Sequence, residues 1–142
     1  MTIPPKVAEF LAGKRIAVTG VSRDRRHFAN LIYRKLQTSG HEVFPVNPRA
    51  SEVEGVRCYT DVGAIEEPLD GVLVASPPGA SLALVRACAE RGVSRIWFHR
   101  SFGAGSVSAE AVRECEARGI SCIAWSIGAA FGGPEPGMGS ES

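Results

Sequence analysis

The chain has 142 residues, of which 44% are hydrophobic and 22% are charged, a size and balance typical of one globular domain rather than of a disordered segment. Sixteen Lys plus Arg against fifteen Asp plus Glu leave a net charge of +1, so no overall electrostatic field favours nucleic acid or an anionic membrane. Any anion site must therefore be local. We expect a single domain over residues 1–131 and a disordered Gly- and Pro-rich tail over residues 132–142.

The sequence gives no indication of a membrane or a metal. No apolar run is long enough to cross a bilayer, and the first residues lack the pattern of a secretory signal. We therefore expect a cytoplasmic protein. Cys58, Cys88, Cys115 and Cys122 are scattered, without a neighbouring His at metal-ligand spacing, which predicts reduced thiols and no metal site.

Short β-branched runs alternate with amphipathic segments, a pattern typical of the strand and helix units of a parallel sheet. Arg15–Thr19 predicts a buried strand, and apolar residues at helical spacing over residues 28–36 predict a helix that ends by Gly40. Glu42–Val46 predicts the second strand, which Asn47-Pro48 terminates because the residue before a proline avoids helical geometry and the backbone must turn.

The same alternation continues through the second half of the sequence. Val56–Tyr59 predicts a short third strand, and Asp61 is a candidate cap of a brief helical turn. The apolar run Gly71–Ala75 predicts a central strand covered on both faces. Further strands are predicted over Arg95–Phe98 and Ile120–Ala124, and further helices over residues 77–91 and Ala109–Arg118.

These elements predict an α/β fold: a three-layer, Rossmann-like open parallel sheet of five to six strands with helices on both faces. We expect the strand order 3-2-1-4-5, with the last strand at the edge. Ligands of such sheets bind beyond the carboxyl ends of the strands. The functional question therefore narrows to four loops, over residues 20–27, 47–51, 76–80 and 99–106.

The first loop, between the first strand and a helix start, favours phosphate. Free N–H groups at the helix start, the Ser22 hydroxyl and the guanidinium groups of Arg23, Arg25 and Arg26 are all candidates to bind one anion. Only Gly20 remains of the GxGxxG dinucleotide pattern, so the standard NAD motif is absent. The alternative is a solvated basic linker, since surface arginines are often merely exposed.

The second loop carries Asn47, Pro48 and Arg49 where NAD-binding domains usually have an acidic residue for the ribose. A neutral amide followed by a guanidinium tolerates a phosphorylated ribose, as found in both NADP and coenzyme A, better than a carboxylate would. The alternative interpretation of Asn47 and Pro48 is a turn that ends the strand.

The third and fourth loops offer a wall and one histidine. Ser76, Pro77 and Pro78 form a stiff stretch of small residues that lets a ligand lie close to the backbone. His99 follows the fifth strand and is the histidine best placed for acid–base chemistry. Because no carboxylate or nucleophile is identified beside it, a polar contact is the simpler interpretation, and no catalytic set emerges.

Several of these motifs occur together in one known family. The sequence resembles the small bacterial coenzyme A-binding domain proteins, which are related to the CoA-binding domain of the succinyl-CoA synthetase α subunit. The resemblance covers about Lys14 to Ala124. The motifs that carry it are residues 18–24 (VTGVSRD), 44–48 (FPVNP), 55–59 (GVRCY) and 76–78 (SPP).

The resemblance implies that coenzyme A is bound through its nucleotide end, with the diphosphate at the first loop and the adenosine near the second and third. The family's positions are matched by Gly20, Val21, Ser22 and Arg23, by Asn47, Pro48 and Arg49, and by Ser76, Pro77 and Pro78. His27 departs from the family pattern, in which members most often have a lysine or similar cation there, and Arg25 and Arg26 are neighbouring candidates for that charge.

The preferred hypothesis is a coenzyme A or acyl-CoA binding protein without catalytic activity of its own. One alternative is an NADP-dependent oxidoreductase or NADP-sensing protein, which would use the same sheet and Arg49. Another is an interaction module related to an acyl-CoA ligase domain. In each hypothesis the expected partner is a small molecule rather than nucleic acid or a membrane, and the sequence does not indicate which protein partner, if any, is used.

Overall fold

The computed structural model of the protein describes residues 4–99 and 107–125. Its main strands are β1 (Arg15–Thr19), β2 (Glu42–Val46), β5 (Gly71–Val74), β6 (Arg95–His99) and β7 (Ser121–Trp125), and a small hairpin comprises β3 (Glu52–Val53) and β4 (Val56–Arg57). The five main strands form one parallel sheet in the order β2-β1-β5-β6-β7.

Helices cover both faces of this sheet, which confirms the predicted three-layer Rossmann-like fold. They are α1 (Pro5–Leu11), α2 (Phe28–Thr38), α3 (Ser81–Glu90) and α4 (Ala109–Ala117). Alternate residues of β1 point to opposite layers: Ile16 and Val18 pack with α1 and α2, whereas Ala17 packs with α3 and α4. The short apolar strands are buried on both faces, as expected for a parallel sheet between helices.

Helix α1 was not predicted from the sequence. Its Phe10 ring packs edge to face on Trp97, with the ring centroids 5.4 Å apart. A Cβ atom at Gly71 would lie 2.6 Å from the Phe10 ring. The absence of a side group at the start of β5 therefore makes the room in which α1 docks.

The predicted third strand, Val56–Tyr59, is wrong, so the sheet begins at the second strand and not at the third; the neighbours 2-1-4-5 and the last strand at the edge are confirmed. Val56 and Arg57 instead pair antiparallel with β3, and Tyr59 forms an isolated parallel bridge with Val46 of β2. The Pro45 carbonyl accepts the Tyr59 amide at 3.0 Å, but Pro45 has no N–H of its own to extend the ladder outward. Proline in β2 therefore makes this strand the edge of the sheet.

The other predicted elements are present with small changes in their bounds. Asp61 caps a 3-10 turn over Val62–Ala64, and a second such turn, Pro78–Ala80, leads into α3. Within residues 4–99 and 107–125, no helix has the length and apolar character needed to span a membrane. The predicted tail and the loop residues 100–106 lie outside the described residues, and a single domain over 1–131 stays a prediction.

Candidate ligand-binding site

A cavity of about 690 Å³ lies at the carboxyl edge of the sheet, between α3 and the loops that follow β1, β2 and β5. This volume is in the range of sites that hold small organic ligands. Most of its lining is apolar, and polar groups are contributed by the three loops. The chain leaves β1 toward α2 on one face of the sheet and leaves the neighbouring strand β5 toward α3 on the other face. The cavity opens between these two connections, which is the usual ligand position in such folds.

Gly20 brings the first loop directly against the end of β5. Its φ of +85° is a left-handed conformation that favours glycine, and a Cβ there would lie 3.0 Å from both atoms of the Ala75 backbone carbonyl group. The Thr19 hydroxyl accepts the Ala75 amide at 3.2 Å and lies 2.8 Å from the Ser76 hydroxyl. These contacts fix the first and third loops relative to each other.

Asn30 of α2 holds the backbone of Ser22 on both sides. The Ser22 amide donates to Asn30 Oδ1 at 2.7 Å, and Asn30 Nδ2 donates to the Ser22 carbonyl at 2.8 Å. The Ser22 hydroxyl accepts the Asp24 amide at 3.0 Å, and Ser22 lines the cavity. The Ser22 amide therefore already has a partner within the protein.

His27 is the N-cap of α2 and lines the cavity. Its Nδ1 accepts the Ala29 amide at 3.3 Å, so the neutral ring carries its proton on Nε2. The His27 amide itself donates to the Asp24 carbonyl. The helix start thus presents an imidazole N–H, rather than the lysine-like cation of the family pattern.

The three arginines of the first loop lie outside the cavity lining. Arg25 Nε is 3.2 Å from Glu54 Oε1, and Arg26 Nε is 3.1 Å from Asp24 Oδ1. The hydrogen bond from Arg26 holds the pKa of Asp24 below its usual value. Arg23 donates to the backbone carbonyl of Arg49. The structure therefore does not bring these three guanidinium groups together at the cavity.

The second loop is tied to the first through Asn47. Asn47 Nδ2 donates to the Val21 carbonyl at 2.8 Å, and Asn47 Oδ1 accepts the Arg49 amide at 2.8 Å. Val21 itself is fully buried in the core. Asn47 thus forms the turn that ends β2, and it also lines the cavity together with Pro48 and Arg49. Within the described part of the protein, the Arg49 guanidinium forms no ion pair.

The third loop contributes Ser76 and Pro77 to the lining, whereas Pro78 begins the turn that precedes α3 and lies outside it. One side of α3 and the residue before it complete the wall with Ala80, Ala83, Leu84 and Ala87. Sequence reasoning missed this wall. These positions follow the spacing of one helical face, a pattern that indicates a buried face but does not distinguish a cavity wall from core packing.

Residues 60–62 are a second part of the lining that sequence reasoning missed. Thr60, Asp61 and Val62 border the cavity. Asp61 Oδ1 accepts the Ala64 amide at 3.0 Å. The predicted capping role of Asp61 is therefore confirmed, and its place on the ligand cavity was not foreseen.

His99 lies away from the cavity lining. Its ring is buried and packs on Phe28 of α2 with the ring centroids 5.0 Å apart. Burial lowers the pKa of His99, because the charged imidazolium is poorly solvated there. The structure thus places this histidine against α2 rather than among the groups that line the cavity.

The cysteines lie within the packed layers. Cys58, Cys88 and Cys115 are buried, Cys122 is half-buried, and all four are free thiols. Burial raises the pKa of Cys88 to about 12. Within the described residues, no group of His, Cys, Asp and Glu residues is arranged to hold a metal ion.

The cavity therefore offers binding groups more clearly than reactive ones. Among the described residues, the ionisable ones in its lining are His27, Arg49 and Asp61. Hydroxyl groups of Ser22 and Ser76 add neutral donors and acceptors. Apolar walls with a few polar groups at the edges suit a flat ring system that carries polar substituents.

Comparison with known proteins points to one family. A sequence model described as "CoA binding domain" matches residues 14–130, which confirms the resemblance drawn from the motifs. The α subunit of acetate–CoA ligase [ADP-forming] II from Pyrococcus furiosus is 30% identical over 106 residues, or 74% of this chain and 23% of that protein. The uncharacterized protein YneT of Bacillus subtilis is 36% identical over 61 residues, or 43% of this chain and 45% of that protein.

Solved structures agree on the fold. A hypothetical protein from Pyrococcus horikoshii gives a TM-score of 0.81 at 25% identity, and the match covers 92% of this sequence and 94% of that protein. The dinucleotide-forming acetyl-coenzyme A synthetase 1 of Ca. Korarchaeum cryptofilum, in complex with phosphate and ADP, gives 0.66 at 27% identity, with coverage of 77% and 25%. The protein thus matches a minor part of the ligases, and spans less than half the length of the curated relatives.

Proposed function

The protein belongs to the CoA-binding domain family, and from this premise we propose that it binds coenzyme A, free or acylated, in the cavity at the carboxyl edge of the sheet. It holds the ligand by its nucleotide half and performs no reaction by itself. The observation that carries the proposal is the position of the cavity, where the loops after β1, β2 and β5 meet. Open parallel sheets bind nucleotides at this place.

The adenosine of the ligand fits the apolar part of the cavity. Ala83 and Ala87 of α3 leave room for a flat ring, and Pro48 and Pro77 border it from the second and third loops. Polar groups at the margin come from the second and third loops as well. Burial of the purine ring between such walls stabilises binding through the hydrophobic effect, while the polar edge of the ring hydrogen-bonds to groups at the margin.

The phosphates belong at the first loop and at Arg49 of the second loop. Gly20 lets the diphosphate approach the backbone, while the Ser22 hydroxyl and His27 Nε2 supply donors at the N-terminus of α2. Arg49 is the cation for the ribose phosphate, because it lines the cavity and is not engaged with a carboxylate of the described residues.

The remaining candidates from the sequence act around this site. Val21 and Arg23 hold the second loop, through the bonds to Asn47 and the Arg49 carbonyl. Outside the lining, and serving the surrounding structure, are Pro78, Arg25, Arg26 and His99. We propose a cytoplasmic location and a small molecule as the partner. A net charge of +1 favours neither nucleic acid nor a membrane as the partner.

Calorimetric titration with CoA, dephospho-CoA, NADP and NAD tests the proposal, with thermal shift as a second readout. We expect CoA to bind about tenfold more tightly than dephospho-CoA, since a charge-assisted hydrogen bond contributes about 1.5–3 kcal/mol. A ligand at a hundred times its Kd stabilises the fold by about 2.7 kcal/mol. A response to NADP without one to CoA would contradict the proposal in favour of an NADP-binding protein, and no response to any ligand would favour an interaction module.

A further inference from the structure

The tip of the β3–β4 hairpin carries a glutamate in an unusual backbone conformation. Glu54 and Gly55 form the turn, with φ angles of 52° and 74°. Two residues in this left-handed region are what a tight hairpin needs, but a residue other than glycine adopts it at a cost that glycine avoids. Such a conformation persists only where the surrounding structure holds it, so the contacts of the Glu54 carboxylate are of interest.

The Glu54 carboxylate turns inward and is held by three donors. Its exposed fraction is only 5%; Oε1 lies 3.2 Å from Arg25 Nε, and Oε2 lies 2.6 Å from Arg34 Nη1. Asn30 Nδ2 donates to Oε2 at 2.9 Å. Burial disfavours the charge, but the bonds from Asn30 and Arg25 and the nearby arginine charges hold the pKa of Glu54 below its usual value.

The contact with Glu54 reinforces the orientation of the Asn30 amide that the Ser22 backbone also requires. Asn30 is fully buried, and its two N–H groups donate to the Ser22 carbonyl and to the Glu54 carboxylate. Its oxygen is thereby left to accept the Ser22 amide at 2.7 Å. A carboxylate accepts hydrogen bonds and cannot donate, so only this orientation of the amide satisfies both neighbours.

We propose that Glu54 is a positioning residue that, through Asn30, fixes the Ser22 backbone and thereby places the Ser22 hydroxyl for the diphosphate of the ligand. This inference rests on the proposed function. Glu54 lies outside the cavity lining, so its effect reaches the ligand only through the loop. A group that orients a ligand-contacting segment without touching the ligand acts by preorganisation, which lowers the ordering cost of binding.

The test uses Glu54→Gln in the full-length protein and compares two ligands by calorimetry. CoA carries the diphosphate, whereas adenosine 3′-monophosphate lacks it and still fills the adenosine part of the cavity. We expect CoA affinity to fall about tenfold, as for loss of a charged hydrogen-bond partner, and adenosine 3′-monophosphate affinity to stay within about twofold. Glu52→Gln is the matched control on the same hairpin, since Glu52 is exposed, and it should change neither affinity.

Equal losses for the two ligands would overturn the inference, because a merely structural role of Glu54 weakens the whole site. Unchanged CoA affinity would overturn it as well. If Glu54→Gln does not fold, Glu54→Asp keeps the charge but withdraws the carboxylate from Asn30, and the same difference between ligands is expected. Wild-type protein that binds no CoA would instead overturn the proposed function itself.

Discussion

The rim of the cavity and its outer flank both include residues of the first loop, but they differ in how their polar groups are paired. The rim comprises Gly20, Ser22, Asn47, Arg49 and Ser76. The flank comprises residues 23–26 together with Glu54. On the flank, Arg25 and Arg26 each face a carboxylate, whereas the rim is built mainly from neutral amides and hydroxyls, with Arg49 as its cation.

The difference shows that the number of charged residues in a loop does not indicate which of them face a cavity. The first loop holds three arginines within residues 23–26, yet the structure gives two of them carboxylate partners outside the cavity. A guanidinium that is already paired with a carboxylate binds an anionic ligand less strongly than an unpaired guanidinium does. The position of each arginine relative to Glu54 and Asp24 therefore matters more than the number of arginines.

The largest effect is expected on the rim, from Gly20→Ala. A left-handed φ costs a non-glycine residue about 1–2 kcal/mol, and the contact of the new Cβ with Ala75 adds crowding of about 1–3 kcal/mol. We expect a loss of about 3 kcal/mol in the free energy of unfolding, measured by urea denaturation. Gly40→Ala is the control, because Gly40 has a φ of 97° and no atom within 4 Å of its Cβ position. Equal losses for the two variants would show that the close approach to β5 is unimportant.

On the flank, Glu54→Gln should lower stability in a pH-dependent way. The pKa of Glu54 lies below its usual 4.5, so its charged form contributes stability that is complete above the unfolded pKa and is lost as the pH falls through the folded pKa. We expect the variant to be less stable by about 2 kcal/mol at pH 7, with the difference shrinking as the pH is lowered below about 4.5. Urea unfolding of both proteins at a series of pH values measures it. A difference that stays constant in acid would mean that the carboxylate charge is not responsible.

Arg49→Ala tests whether the cation on the rim binds the ligand. Loss of this cavity-lining cation should weaken CoA binding about tenfold, or about 1.4 kcal/mol. It should weaken dephospho-CoA less, because the phosphate that the guanidinium contacts is then missing. Calorimetry with both ligands measures the two changes. Lys35→Ala, an exposed position on α2, controls for the change in net charge, and a similar loss there would attribute the effect to long-range charge alone.

The smallest effect is expected from Arg26→Ala on the flank. The Arg26 side chain is 91% exposed and pairs with Asp24. Its removal should therefore change CoA affinity less than about twofold. The same titration that is used for Arg49→Ala measures it. A loss as large as that of Arg49→Ala would place Arg26 on the ligand and remove the distinction between flank and rim.

Most of the sheet could be predicted from the sequence because its strands are short, buried and apolar on both faces. Arg15–Thr19, Gly71–Val74 and Arg95–His99 agree with the predicted strands within one residue. The Asp61 cap was also predictable, since a residue that caps a turn acts on amides a few residues ahead. Local chemistry decides such elements, and a single sequence contains it.

The features that were missed depend on contacts between distant residues. Helix α1 is held by the fit of Phe10 over Gly71, far apart in the sequence, which no local pattern records. The contrast between the paired Arg25 and Arg49, which has no ion pair among the described residues, likewise depends on Glu54, which lies in the hairpin and pairs with Arg25. The apolar wall on α3 has the spacing of any buried helical face, so only the fold distinguishes a face that packs from one that borders a cavity.

Pro45 in the edge strand β2 also bears on how molecules of this protein meet one another. Its outward side lacks an N–H, and its carbonyl is already bonded to Tyr59. An incoming extended peptide would need both groups to continue the hydrogen-bonding pattern, and exposed strand edges are the usual starting points of aggregation. This margin is therefore protected against intermolecular β-pairing by the same residue that ends the sheet.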